Sequence, residues 1–187
     1  MVGDAGEQWG EDPGWRPSLV FLIPYAVFFR RTRRDPITLI RILYLTFLTA
    51  LVLYGYVLLF ITPFRSEHDG LGWIIGIGAV AAVNLVLVRR VERPLPCESD
   101  AMLAGAFRAR LFLRIAFAET PALFGFTAAF VTDSNWVFYL CVLFSLPALV
   151  RAAPTRAALI RDQDELTARG CNLSLVAALR STPPKPK

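Results

Sequence analysis

The sequence predicts an all-α integral membrane bundle, four transmembrane helices preceded by a short interfacial N-terminal helix. Three observations predict it. Of 187 residues, 55% are hydrophobic and only 19% charged, with a mean hydropathy of +0.49; a typical soluble domain carries about a quarter charged residues. The apolar excess is gathered into four long runs. The basic residues fall almost entirely on one side of those runs. This composition excludes a soluble enzyme, a disulfide-stapled secreted domain and a disordered chain.

Residues 1–17, rich in Gly, Pro and acids, read as a mobile acidic tail. Residues 18–36 read as an interfacial amphipathic segment. Its apolar run, Leu19–Phe29, is broken by Pro24 and closed by Arg30, Arg31, Arg33 and Arg34. About 20 residues are needed to cross a bilayer, so this run is too short. The four arginines are expected beside anionic lipid headgroups, with Trp15 and Tyr25 as interface anchors. A fifth span, which would place the acidic tail outside, is the other reading of this run.

The transmembrane domain is placed at 37–151, with spans at about 42–62, 71–88, 111–131 and 134–150. Ile42–Thr62 and Leu71–Val88 hold no charge, and Asn84 is the one strongly polar side chain of the second. Leu111–Val131 contains Arg114 and Glu119, and the helix is expected to begin earlier, where Ser99 and Asp100 offer capping chemistry. Trp136–Val150 is 15 residues long and reaches spanning length only with help from its flanks. In lipid each segment must satisfy its own backbone, which selects helices. The tail, 152–187, is expected to hold a short helix capped by Thr155 and ending at Gly170, with Arg161 and Glu165 at i,i+4. A second apolar stretch, Leu173–Leu179, is expected on the membrane surface or on a partner.

Four spans put both termini on one side, and 18 of the 20 basic residues lie on that side or in the 89–110 loop. Arg65 alone lies opposite, and Arg114 is within a span. Basic residues stay cytoplasmic. A multi-pass protein of the bacterial plasma (inner) membrane with both termini cytoplasmic is therefore expected, the bacterial source being read from the abundance of Arg, Ala, Gly and Pro. The pI near 9.5 is assigned to orientation, and no nucleic-acid partner is expected.

Cys97, Cys141 and Cys171 form no C-x-x-C pair, so neither a disulfide framework nor a zinc site is indicated. With one histidine and no P-loop, G-x-S-x-G or dinucleotide fingerprint, no enzyme activity and no cofactor are expected. Glu67-His68-Asp69 reads as a solvated polar turn.

Glu119 calls for explanation. It lies nine residues into the third span, ~12 Å from its cytoplasmic end. An ionised carboxylate there costs at least ~2.5–3.5 kcal/mol, so Glu119 is expected to hold its proton, either hydrogen-bonded to a neighbouring helix, with Asn84 a candidate partner, or as a transport group. Arg114, about 140° away around the helix at i,i+5, is a poor partner and is expected to snorkel to the interface. Around Glu119 run Ala118, Ala122, Gly125 and Ala129 at spacings of 4, 3 and 4. In the second span Gly72, Gly76, Gly78 and Ala82 make a similar ridge. Such ridges let helix backbones approach closely in lipid, within one chain or between subunits.

The stretch Arg110-Leu111-Phe112-Leu113-Arg114-Ile115-Ala116-Phe117-Ala118-Glu119-Thr120-Pro121-Ala122-Leu123-Phe124-Gly125 resembles the carboxylate-bearing helix of rotor-ring proteolipids of rotary ATP synthases, and Gly70 to Val88 resembles the inner helix of that hairpin. The resemblance covers residues 70–131 and implies that Glu119 carries a transported proton. The residues themselves favour a non-enzymatic assembly or accessory subunit with a buried protonated Glu119, whose partners are the lipid bilayer and a homo-oligomer or larger membrane complex. A proton- or ion-translocating element is the alternative.

Overall fold

In a computed structural model the described residues are 12, 14–22, 35–62, 70–91 and 94–181, and among them the chain is all-helical, without a strand. The helices are α1 (Arg16–Leu19, followed by a 3-10 turn, Val20–Leu22), α2 (Pro36–Ile61), α3 (Gly70–Val91), α4 (Asp100–Val131), α5 (Trp136–Ala152), α6 (Arg156–Ala168) and α7 (Leu175–Arg180). The arginine cluster 30–34, Tyr25 and the Glu67-His68-Asp69 turn lie outside the described residues. Among the described residues α2 alone is long and apolar enough to cross a membrane; α5 and α6 pass the same test only when taken together as one broken span.

The chain divides into two compact units. The first gathers residues 1–45, 94–110 and 153–187, the second 46–93 and 111–152.

The first unit is tied together by arginines. Arg41 is 1% exposed, among the largest fully buried side chains. Burying a guanidinium costs several kcal/mol unless its donors are met, and here most are. Nη1 and Nη2 donate to the two carboxylate oxygens of Asp12 at 2.6 and 2.8 Å, Nη1 also to the Gly14 carbonyl at 2.7 Å, and Nε to the Pro154 carbonyl at 3.2 Å. Trp15 lies 5.4 Å beneath the guanidinium and packs edge-on against Tyr44. The far end of the expected tail is therefore held on α2, and Trp15, half-buried, takes part in that contact. The Arg41 hydrogen bonds are the chief reason the Asp12 carboxyl titrates below its ordinary range.

Arg110 donates to Glu165 at 3.1 Å and lies 3.9 Å from Asp162. Glu165 thus meets α4 and not Arg161, its i,i+4 neighbour on an exposed face. Arg180 reaches Asp35 at 3.1 Å. Thr155 caps α6 by accepting from the Ala158 amide, and Gly170, at φ +79°, lets α6 end with its last carbonyls met: the Gly170 amide donates to Thr167 and the Cys171 amide to Leu166. Gln163 then brackets the next turn, accepting from the Leu175 amide and donating to the Leu173 carbonyl. The apolar face of α7 (Leu175, Val176, Ala178, Leu179) is buried in the chain itself, which corrects its assignment to a membrane surface or partner. Cys97 and Cys171 form a disulfide. That corrects the reading of the cysteines as unpaired; a separation of 74 residues leaves no local spacing to betray the pair.

In the second unit Leu51 and Leu58 of α2, Ala118, Ala122 and Ala129 of α4, and Phe138 and Leu149 of α5 form one core. Ile77 of α3 joins Ala128, Val137 and Cys141 in a second. Tyr139 donates to the Gly55 carbonyl at 3.0 Å, and Asn135 donates to the Thr62 carbonyl at 3.1 Å, joining the end of α2 to the turn before α5.

The clamp at Arg41 gives a pH prediction. A carboxyl whose folded-state titration is depressed contributes stability that is present above its unfolded value, near 3.8, and is lost as pH falls through the folded value. Thermal unfolding of the detergent-solubilised chain should therefore show a pH-dependent loss below about 4 that Asp12→Asn removes. Arg41→Ala should cost about 3–5 kcal/mol at neutral pH, because the Asp12 carboxylate is left buried without its partner.

Candidate functional site

The candidate site lies where α4 and α5 meet in the second unit. The two helices are joined by the turn 132–135, and the turn is closed by Asp133 in the left-handed region at φ +47°, a conformation Asp tolerates better than most residues. Gly125 sets how closely they approach. A methyl at that position would come within 2.5 Å of Cys141 and 3.2 Å of the Phe138 Cα. Ala118, Ala122 and Ala129 continue the same buried seam, so on α4 the small-residue ridge is the surface on which α2 and α5 pack.

Glu119 of α4 and Ser145 of α5 are both buried, at 6% and 0% exposure. Among the described residues neither Glu119 Oε1 nor Ser145 Oγ has a hydrogen-bond partner. Pro121 and Pro147 interrupt the two helices, each two residues beyond the polar group. A proline has no amide hydrogen, so the carbonyls of Phe117 and Leu143 lack the donor that the next turn would supply. Thr120, between Glu119 and Pro121, bends back to the Ala116 carbonyl at 2.9 Å. α4 and α5 therefore each carry a buried polar group, a carboxyl and a hydroxyl, followed two residues on by a proline that leaves one helix carbonyl short of a donor. Such a set can give and accept hydrogen bonds from a side chain of another protein, from water or from a proton in transit.

The remaining residues singled out in the sequence fall elsewhere. Asn84 is half-buried and donates to the Val80 carbonyl of its own helix at 3.0 Å, so its amide is spent locally and the expected bond to Glu119 is not made. Arg114 is half-buried. On α3, Gly72, Gly76 and Ala82 are exposed and Gly78 half-buried, and a methyl at any of the three glycines would meet nothing within 4 Å. The two ridges, alike in sequence, differ in use: the one on α4 is packed and the one on α3 is open.

Ser145 and the two prolines escaped the sequence reading. Their signal is a repeated polar-x-Pro triplet, Glu119-Thr120-Pro121 and Ser145-Leu146-Pro147, in two consecutive apolar runs. No protein family, characterised protein or solved structure matches this chain.

The contrast between the ridges is testable by thermal unfolding. Gly125→Ala should destabilise by about 1–3 kcal/mol, since the added methyl must displace Cys141 and the backbone at Phe138. Gly76→Ala should be neutral or stabilising by up to about 1 kcal/mol, as expected of a helical glycine in open space.

Proposed function

We propose that this chain is a non-enzymatic protein of the bacterial inner membrane that crosses it four times, with both termini and the connection around 89–110 in the cytoplasm, and that it serves as an assembly or accessory subunit. One observation carries the reading, the unequal exposure of apolar side chains in the two units. Among the described residues the large exposed apolar groups crowd onto the second unit, where Val52, Phe60, Ile75, Val131, Leu143 and Val150 are each more than half exposed. In the first only Leu19, Leu22, Leu39, Leu43 and Met102 are exposed large apolar groups, and of these Leu22 alone is more than half exposed. A monomer in water rarely exposes a contiguous apolar surface of that extent; lipid accepts it without cost. The first unit, by contrast, meets its charges with ion pairs, and it collects the segments that the arginines assign to one side of the membrane.

The accessory role is supported by the open ridge of α3. Small residues with nothing packed on them form a surface on which another helix can approach closely, from a further copy of the chain or from a larger complex. Glu119 in this reading is a buried, proton-bearing hydrogen-bond group. Anionic headgroups beside Arg30, Arg31, Arg33 and Arg34 complete the proposed surroundings.

A second reading, a proton- or ion-translocating element with Glu119 as carrier, draws on the resemblance to rotor-ring proteolipids and on the buried Glu119 Oε1 and Ser145 Oγ, which meet no hydrogen-bond partner among the described residues. The two readings part at Glu119→Gln. As an accessory subunit the variant should fold and assemble as the parent does, and neither protein should pass protons when reconstituted in liposomes. Proton flux in the parent that is lost in the variant, with carbodiimide modification of Glu119 that varies between pH 5 and 9, would transfer the conclusion to the second reading. Gly76→Leu should shift the complex in mild detergent to a smaller size while monomer stability holds. An unchanged size would remove the open face of α3 from assembly.

A further inference from the structure

We infer that the Cys97–Cys171 cross-link is a reversible thiol–disulfide exchange site, that its exchange partner is a low-molecular-weight thiol of the glutathione class, and that exchange occurs at the Cys97 sulfur. The inference rests on the cytoplasmic placement of the first unit proposed above. Three features of the pair lead to it.

The first is an asymmetry of access. Cys97 is exposed, whereas Cys171 is 5% exposed. Exchange rates depend on which sulfur an incoming thiolate can reach, so attack is directed to Cys97 and Cys171 is the leaving group. The second is what the bond joins. Cys97 sits in the connection between α3 and α4, and Cys171 in the turn between α6 and α7, so the cross-link closes two loops upon one another across 74 residues of chain. The third is that the sulfurs do not hold those loops alone. Arg169 donates to the Leu95 carbonyl at 3.2 Å, Leu95 itself is 1% exposed, and the turn carrying Cys171 is fixed by the Leu166 carbonyl on one side and by Gln163 on the other. After reduction the two thiols therefore stay near one another and the bond can close again. A disulfide that is the only link between its segments lacks that property.

The chemistry balances with thiols alone. A glutathione thiolate attacks the Cys97 sulfur, the bond between the two cysteines breaks, and Cys171 departs as a thiolate that takes a proton from water. A second glutathione thiolate attacks the mixed disulfide, releasing Cys97 as a thiol and glutathione disulfide. Two electrons pass from two glutathione molecules to the cysteine pair. Closure is the reverse: glutathione disulfide thiolates Cys97, and Cys171 displaces the glutathione. In the cytoplasm such bonds are characteristically transient and sensory, so the resting state is the dithiol and the cross-link forms when the thiol pool is oxidised.

The experiment uses the full chain in intact cells. Free thiols are blocked with N-ethylmaleimide on acid quenching, disulfides are reduced, and the newly freed thiols are labelled with a maleimide polymer that retards the chain on a gel. A cytoplasmic or periplasmic reporter at the C-terminus reads orientation in the same strain. The expected result is no retardation at rest, a two-adduct shift after diamide treatment that reverses once diamide is withdrawn, and no such shift in Cys97→Ser. Purified Cys171→Ser should take up one glutathione from glutathione disulfide, and Cys97→Ser should take up none, since its remaining thiols are buried. A two-adduct shift in every chain at rest, indifferent to diamide, with the reporter cytoplasmic, would overturn the exchange site and leave the orientation standing. The same static shift with a periplasmic reporter would overturn the orientation as well. No shift under diamide, with the reporter cytoplasmic, would overturn the exchange site alone.

Discussion

The approach of α4 to α5 at Gly125 is the constraint on which the second unit depends. A side chain there would part the helices, and Ala118, Ala122 and Ala129 would lose their contact with Phe138 and Leu149. Helices in lipid gain little from burying apolar surface against one another, because the tails they leave are equally apolar; close packing of small residues is what associates them. The same two helices carry the buried polar groups of the unit, Glu119 on α4 and Ser145 on α5, and each is followed two residues on by a proline that removes a backbone donor.

The first unit solves the opposite problem. Beside its buried apolar residues it carries many charges, and it is ordered by arginines that each join segments far apart in sequence: Arg41 joins residue 12, residue 14 and residue 154, Arg110 joins α4 to α6, and Arg180 joins the C-terminal helix to Asp35. Arginine suits this task because a planar fork of donors can meet a carboxylate and two carbonyls at once. The cost of desolvating the Arg41 guanidinium is offset only because four contacts and an aromatic face converge on it. Removal of any one segment leaves a buried charge poorly met, and this makes the clamps mutually dependent. Asp12 and Gly14 are thus part of the fold through Arg41.

How much of this the sequence disclosed follows from the range of each interaction. Helix composition, the Thr155 cap and the buried seam on α4 are local patterns, readable from residues within a few turns of one another. The partner of Arg41 is not, since Asp12 and Pro154 lie 29 and 113 positions away. Counting Arg41 among the basic residues that orient the chain captured its charge and missed its burial. Glu165 shows the same limit: Arg161 stands at the correct helical spacing, yet tertiary packing gives Glu165 to Arg110. The glycine ridges make the point most plainly. Gly72-x-x-x-Gly76 and the small-residue run of α4 are the same pattern, and only the placement of neighbouring helices distinguishes a ridge that is filled from one that is open. Spacing states that close approach is possible and leaves unstated what approaches.

The cysteines and the arginines give two signals about compartment that at first oppose one another. A paired Cys97 and Cys171 speaks for an oxidising surrounding, while the arginine distribution underlies the proposal that the same segments are cytoplasmic. The two signals record different events. The arginine bias acts while the helices insert, when each basic loop either crosses the bilayer or stays behind, and it counts basic residues irrespective of the acids that later neutralise them. Pairing of Arg41, Arg110 and Arg180 with carboxylates in the folded chain therefore takes nothing from it. A disulfide records the thiol poise after folding, and a pair whose exposed member meets solvent follows that poise in either direction. A site held together by Arg169 and Gln163 with or without its sulfur bond is compatible with both, because its geometry does not require the bond to persist.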